Sequence, residues 1–259
     1  MKIIISIFIF ILGCSISSFL GVVSYRVPKH ISIIKPDSYC PNCNKPLKWY
    51  DNIPILSYII LRGKCRYCHT KIPFYGFILE LVGGIFYLLS YLLIEDYISL
   101  ILTIIIISLL ILISYQDYET HYILDLFQFI LAIFVIILIL YNSLKNSYIP
   151  YDNFIGFIIS LSLFILIKLF YKYCIKHDSL GTADIILFSI LGLLVGYKKI
   201  LIILLVSSIS GLIIELIKNK ITESNEIAFG PYLSLGGIIA LLFGDMIINS
   251  FMEVINAII

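Results

Sequence analysis

The chain has 259 residues, 61% of them hydrophobic and only 13% charged, with a formal net charge of +2. A soluble globular domain carries about 25% charged residues, so this composition, with a mean hydropathy of +1.06, excludes that class. So apolar a chain is expected to have membrane lipid as a partner; there is no long acidic or basic tail, and nucleic acid is not an expected partner.

Each bilayer crossing needs roughly 20 mostly apolar residues. The first such run, 3–24, is read as a transmembrane helix. Its "ILGC" also fits a lipoprotein-type signal cut before Cys14, but bulky Leu12 suits that cleavage poorly, and the cut would leave the following basic segment outside.

Residues 25–73 form the one long polar stretch and hold Arg26, Lys29, Lys35, Lys45, Lys48, Arg62, Lys64, Arg66 and Lys71. The positive-inside rule therefore places this segment in the cytoplasm and the N-terminus outside. It contains Cys40-Pro-Asn-Cys43 and Cys65-Arg-Tyr-Cys68, two knuckles whose spacing suits one tetrahedral zinc. A pair of disulfides is the alternative, disfavoured in a reducing compartment. His69 could substitute as a ligand, although four thiolates suffice. A module this small would need the metal to stay folded. Its apolar "IPILSYIIL" is too short to span and is expected on the membrane face or beneath the knuckles. Cys14 and Cys174 have no partner at metal spacing and read as small buried residues.

Further runs follow at 74–94, 97–115, 125–142, 153–173, 180–197, 200–217 and 229–248. The fold expected is an all-α polytopic membrane protein of about eight transmembrane helices with a small cytoplasmic zinc loop between the first two. Its parts are 1–24 (first helix), 25–73 (four-cysteine loop) and 74–259 (seven-helix core). Residues 180–217 could instead form one kinked helix across Gly196, which would reverse the orientation of everything after it.

With eight spans, the segments near 116–124, 172–179 and 218–228 are also cytoplasmic. Asp117, in "YQDYETHYILD", and Asp184, in "SLGTADIIL", then lie at one depth on the same side. Two carboxylates in a partly dry site cannot easily both be ionised, so the pair would share a proton, as in aspartic proteases: one activates water while the other polarises the scissile carbonyl. Gly181 would let a substrate backbone come close. An aspartate at a helix end is also commonly only a cap. Glu80 and Glu215 are intramembrane acids within one or two turns of the cytoplasmic ends, and Glu80 is expected to support the site. His121 and His177 read as solvated loop residues. Gly83-Gly84 and Gly236-Gly237 should allow close helix contact.

These segments together resemble the type IV prepilin peptidases, membrane aspartic proteases of eight helices. The similarity runs through "GCSISSFLGVVSYRVP", the four-cysteine loop with "PFYGFILEL", "DYETHYILD", "GTAD" and "FGPYLSLGG". The resemblance implies an endopeptidase that removes the leader of prepilin or pseudopilin precursors at the cytoplasmic membrane face, with Asp117 and Asp184 catalytic and Asp125 matching a further aspartate of the motif. In bifunctional members the new N-terminus is methylated from S-adenosylmethionine. Three positions depart from the family pattern: Ala183 for Gly, Leu124 for Pro and Ile186 for Lys. The rival readings are a non-catalytic assembly protein that docks through the zinc loop, and an ion-coupled transporter, which would want acids near the bilayer middle and a repeated half.

Overall fold

The structure, a computed structural model, describes residues 2–35, 37–175, 181–218 and 228–258. His177 lies outside the described residues, as do the side chains of Cys174 and Glu215. The fold is all-helical. Strand pairing among the described residues is confined to two isolated bridges, Tyr39 with Pro46 and Lys64 with Lys71. Contacts divide the chain into two compact units, Met1–Glu95 and Asp96–Ile259.

The first unit is built on α1 (Lys2–Arg26) and α3 (Phe74–Leu93). Small residues let their backbones touch. A Cβ on Gly13 would stand 2.7 Å from the Gly83 carbonyl oxygen, and one on Gly83 would collide with Ser17 Oγ. Without an apolar solvent effect between helices in lipid, such close van der Waals contact is what holds a pair together. The loop between them contains a short 3-10 turn, Trp49–Asn52, and the one-turn α2 (Leu56–Ile60).

The second unit begins at Asp96, which caps α4 (Tyr97–Thr120) by accepting the Ser99 N–H at 2.9 Å. Asp96 also accepts from Tyr141 Oη at 3.2 Å and pairs with Lys145, both on α5 (Asp125–Asn146). This anchors α5 to the head of α4. Helix α4 is the core of the unit: Ile106, Ile107, Leu110 and Ile113 are fully buried. It packs on α5 and on α9 (Gly230–Ile258). Helix α6 (Tyr151–Phe170) lies against α7 (Thr182–Val195), with Phe164 stacked on Phe188 at 4.0 Å between centroids.

Seven helices are long and apolar enough to cross a membrane among the described residues: α1, α3, α4, α5, α6, α8 (Ile200–Lys218) and α9. The apolar α7 has 14 residues, about 21 Å at 1.5 Å per residue, against a hydrocarbon core of roughly 30 Å. It can be short because protein surrounds it. Leu187, Phe188 and Leu191 have no exposure, and α5, α6 and α9 all contact it. Its last carbonyls, Leu193 and Leu194, accept from Asn153 Nδ2 of α6 at 2.8 and 3.3 Å, so the chain end is satisfied where lipid could not do so. Over the described residues 181–217 the chain does not make one helix: Gly196 at φ +79° breaks it, and a 3-10 turn, Tyr197–Lys199, leads into α8. Both expected glycine contacts occur. A Cβ on Gly236 would meet the Ile203 carbonyl oxygen at 2.7 Å, and one on Gly237 would meet Leu191 Cδ2 at 2.5 Å.

Candidate active site and metal centre

Asp117 lies in the last turn of α4. That helix stops four residues later because His121 adopts the left-handed conformation at φ 51° and returns its N–H to the Asp117 carbonyl at 2.9 Å. The Asp117 side chain is nearly buried, at 6% exposure for the residue. Its Oδ2 accepts the Gly230 N–H at 2.7 Å, at the first residue of α9. The first N–H groups of a helix lack intrahelical acceptors and favour an anion, so the start of α9 is a natural seat for this carboxylate.

Asp184 is the third residue of α7, after Gly181, which caps it, then Thr182 and Ala183. From that position a carboxylate reaches back to the free N–H of the cap residue, and the Gly181 backbone is the group beside it. Asp184 is half-buried, Gly181 is exposed, and the two carboxylates are near enough to interact electrostatically. The second unit therefore brings together, from α4 and α7, the two aspartates singled out in the sequence. Asp125 stands exposed at the first residue of α5, at the end of the turn that starts from Asp117.

Three residues not singled out in the sequence also meet this site. Gly230 holds Asp117. Gln128 of α5, at 2% exposure, donates Nε2 to the Ala183 carbonyl at 2.7 Å. Gln116, fully buried, accepts the Leu124 N–H on Oε1 at 3.2 Å. The sequence held a signal for the two glutamines: each is an amide inside an otherwise apolar run.

Glu80 belongs to the first unit. Its Oε2 accepts the Ile55 N–H at 2.8 Å, where Ile55 sits at φ 63°, ψ −55° just before α2. A β-branched residue at positive φ is strained, and the Glu80 bond is one of the contacts that stabilise that backbone.

The two cysteine knuckles repeat one another. In the first, Cys40 N–H donates to the Lys45 carbonyl and Asn44 N–H to the Cys40 carbonyl; in the second, Cys65 N–H donates to Thr70 and His69 N–H to Cys65. Asn44 and His69 hold equivalent left-handed positions at φ 54° and 57°. His69 thus closes a turn. The four Sγ atoms lie within 4.8 Å of one another, and Cys40 Sγ is 3.8 Å from Cys68 Sγ. The edge of a tetrahedron with metal–sulfur bonds of about 2.3 Å is about 3.8 Å. Donor type and size fit a tetrathiolate metal site. The Thr70 hydroxyl, the Thr70 backbone and the Asn42 amide bring the Cys68 thiol down to about 5, while the neighbouring Cys43 thiol is pushed up, so within the crowded set one thiol ionises ahead of another.

Arg66, inside the second knuckle, ties the loop together. Its Nη2 and Nε donate to Asp51 Oδ1 at 2.6 and 2.9 Å. This Asp51 side chain is 1% exposed, so the pair is charge-assisted and partly dry.

Comparison with known proteins gives the two units separate counterparts. Residues 11–94 match a family described as the bacterial peptidase A24 N-terminal domain, and residues 104–216 match the type IV leader peptidase family. The chain is 30% identical to a prepilin leader peptidase/N-methyltransferase of Neisseria gonorrhoeae over 92% of its own length and 90% of the relative's. It is 28% identical to one of Bacillus subtilis, covering 95% and 97%, and 29% identical to a type 4 prepilin-like proteins leader peptide-processing enzyme of Escherichia coli, covering 87% and 89%. No solved structure matches the chain. With its membrane helices, its four-cysteine cluster and similarity along most of its length, the chain belongs to the type IV prepilin leader peptidase/N-methyltransferase family, peptidase A24.

Proposed function

We propose that the protein cleaves the leader from type IV prepilin or pseudopilin-like precursors at the cytoplasmic membrane face, using Asp117 and Asp184 as a proton-sharing pair. The observation that carries this is the convergence of the two carboxylates from α4 and α7 beside the head of α9. The ionised carboxylate takes a proton from water, and the protonated one donates to the scissile carbonyl. The hydroxide adds to carbon, and collapse of the tetrahedral intermediate returns a proton to the departing amine. Gly230 holds Asp117 Oδ2, which leaves Oδ1 for proton exchange, while exposed Gly181 lets an extended substrate backbone approach Asp184. Asp125, at the exposed start of α5, would line the approach to the pair. The segment order is first helix 1–24, metal loop 25–73 and helices from 74 to 259, with the peptidase aspartates in the second unit and the N-terminus outside. The concentration of Lys and Arg in 25–73 supports that orientation.

The metal at Cys40, Cys43, Cys65 and Cys68 is zinc in a structural role, because four thiolates leave no position for a reacting water. N-methylation of the new N-terminus rests on the names of the relatives. S-adenosylmethionine supplies the methyl group in that chemistry. The first unit offers a cavity of about 290 Å³ for it. Among its lining residues are Asn52, Ser57, Glu80 and the stacked rings of Tyr58 and Phe77, 4.9 Å apart. A carboxylate and aromatic faces are what a sulfonium cation calls for, and Glu80 would hold its charge against the repulsion of Arg66 and Lys71 on the same lining.

The test is the mass of a prepilin-like substrate after incubation with the protein in detergent, with and without S-adenosylmethionine. Loss of a leader by the parent, and no loss with Asp117→Asn or Asp184→Asn that still fold, is the expected result. Cleavage by either variant refutes the catalytic pair. A further gain of one methyl establishes the second activity, and its absence across several substrates removes it.

A further inference from the structure

The two buried glutamines of the second unit are expensive to keep. Each has one half of its amide committed, while Gln116 Nε2 and Gln128 Oε1 have no hydrogen-bond partner among the described residues. A half-satisfied buried amide is unfavourable compared with an apolar side chain of the same shape, so stability alone does not account for either. What both do is bond to backbone next to an aspartate. Gln116 directly precedes Asp117 and accepts the N–H of Leu124, the residue that caps α5. Gln128, one turn into α5, returns its own backbone N–H to the Leu124 carbonyl at 3.5 Å and sends its side chain to the carbonyl of Ala183, directly before Asp184. The chain of contacts runs from Asp117 through Gln116, Leu124, Gln128 and Ala183 to Asp184. Ile123, at 1% exposure, fills the inside of the same turn.

Both links engage positions where the chain departs from the family pattern noted in the sequence. A proline at 124 would have no N–H for Gln116 to accept, and Ala183 lends its carbonyl rather than its side chain. We propose that Gln116 and Gln128 are positioning residues that set the separation and mutual orientation of Asp117 and Asp184. The proposal rests on the reading of those aspartates as the catalytic pair. Neither glutamine needs to touch substrate. Their amides fix the turn that ends α4 and the first turn of α7, so the carboxylates are held by backbone instead of by rotamers alone. Other ionisable groups on the α4–α5 turn are Tyr118, Glu119, His121, Tyr122 and Asp125. From the facing α7, Asp184 lies within electrostatic reach of Asp117, and on the turn itself His121 does.

The experiment uses the full chain in detergent with a prepilin-like peptide. Gln128→Met and Gln116→Met keep volume and remove the amide. Misplacing reacting groups by up to about 1 Å costs as much as a hundredfold, so kcat should fall about tenfold to a hundredfold, with KM changed by less than about threefold. The pH–rate curve should shift in at least one limb, because the titration of a coupled pair depends on its separation. Curves that superimpose on the parent's, with kcat per folded enzyme retained, overturn the proposal. Leu124→Pro supplies a second route should a methionine variant not fold. It removes the N–H that Gln116 accepts, at a backbone φ of −68° that proline tolerates, so kcat should fall in the same range with both glutamines still in place, and a kcat and pH–rate curve equal to the parent's overturn the link. Cleavage by Asp117→Asn or Asp184→Asn would instead refute the catalytic reading on which the proposal rests.

Discussion

Gly230→Ala isolates the contact that seats Asp117. A Cβ at that residue would stand 2.7 Å from Asp117 Oδ2 and 3.1 Å from its Cβ and Cγ. Carbon atoms settle at about 3.5 Å or more, so the carboxylate or the head of α9 must retreat by about 0.4 to 0.8 Å. Asp117 has little freedom to turn aside, since the residue is buried in the last turn of α4. The 2.7 Å bond from the Gly230 N–H is then stretched or lost, and a hydrogen bond to a charged acceptor is worth about 1.5 to 3 kcal/mol. A shift approaching 1 Å at reacting atoms costs up to about a hundredfold. The expected result is a kcat lowered about tenfold to a hundredfold at nearly constant KM, read from the mass spectrum of a prepilin-like substrate over time, with the membrane fold kept in a thermal unfolding scan. A folded Gly230→Ala protein that cleaves at the parent rate would show that the head of α9 does not seat a catalytic carboxylate.

Three further outcomes concern the first unit. Purified protein should contain one zinc per chain by elemental analysis, and Cys40→Ser with Cys65→Ser should abolish it and expose residues 37–71 to protease; unchanged metal content would refute the tetrathiolate site. Arg66 beside Asp51 holds its carboxyl below the usual carboxylate range, so the pair contributes stability that is complete above about pH 4, the unfolded value, and is lost as pH falls through the lower folded value. Hydrogen exchange across residues 47–66 should therefore show an advantage of the parent over Asp51→Asn near neutral pH that disappears in acid, while an advantage independent of pH would refute the assignment. Glu80→Leu removes the acceptor for the Ile55 N–H and should speed exchange at residues 53–61, with Glu80→Gln restoring most of the protection; equal exchange in both variants would show that this bond does not hold the loop.

The parts of the molecule legible from sequence are those governed by local composition. Apolar run lengths located the helices within a few residues over most of their ends, because a bilayer imposes one length scale on every crossing. The knuckles are legible because two thiolates per turn is a local requirement, and His69 is the residue among them whose role depends on its backbone conformation. As a residue type it could be a ligand, but its left-handed backbone matches Asn44 in the other knuckle and identifies a turn position. The extent of α7 was harder to see. Its 14 residues end at Gly196, and what permits so short a helix is enclosure by α5, α6 and α9 with Asn153 satisfying its last carbonyls, none of which is local in the chain.

The environment of the candidate site divides in the same way. The sequence places Asp117 and Asp184 at the ends of apolar runs, where either could be only a cap, and the fold brings the two carboxylates within electrostatic reach of each other. Topology does not fix lateral position, and so it could not say that the head of α9 meets Asp117 or that α5 reaches the first turn of α7. Glu80 illustrates the limit from the other side. Depth in the bilayer does not identify its partner within the first unit, the Ile55 N–H. For buried acids in a helical membrane protein, sequence gives the level in the bilayer, and the backbone group beside each carboxylate decides what that acid can do.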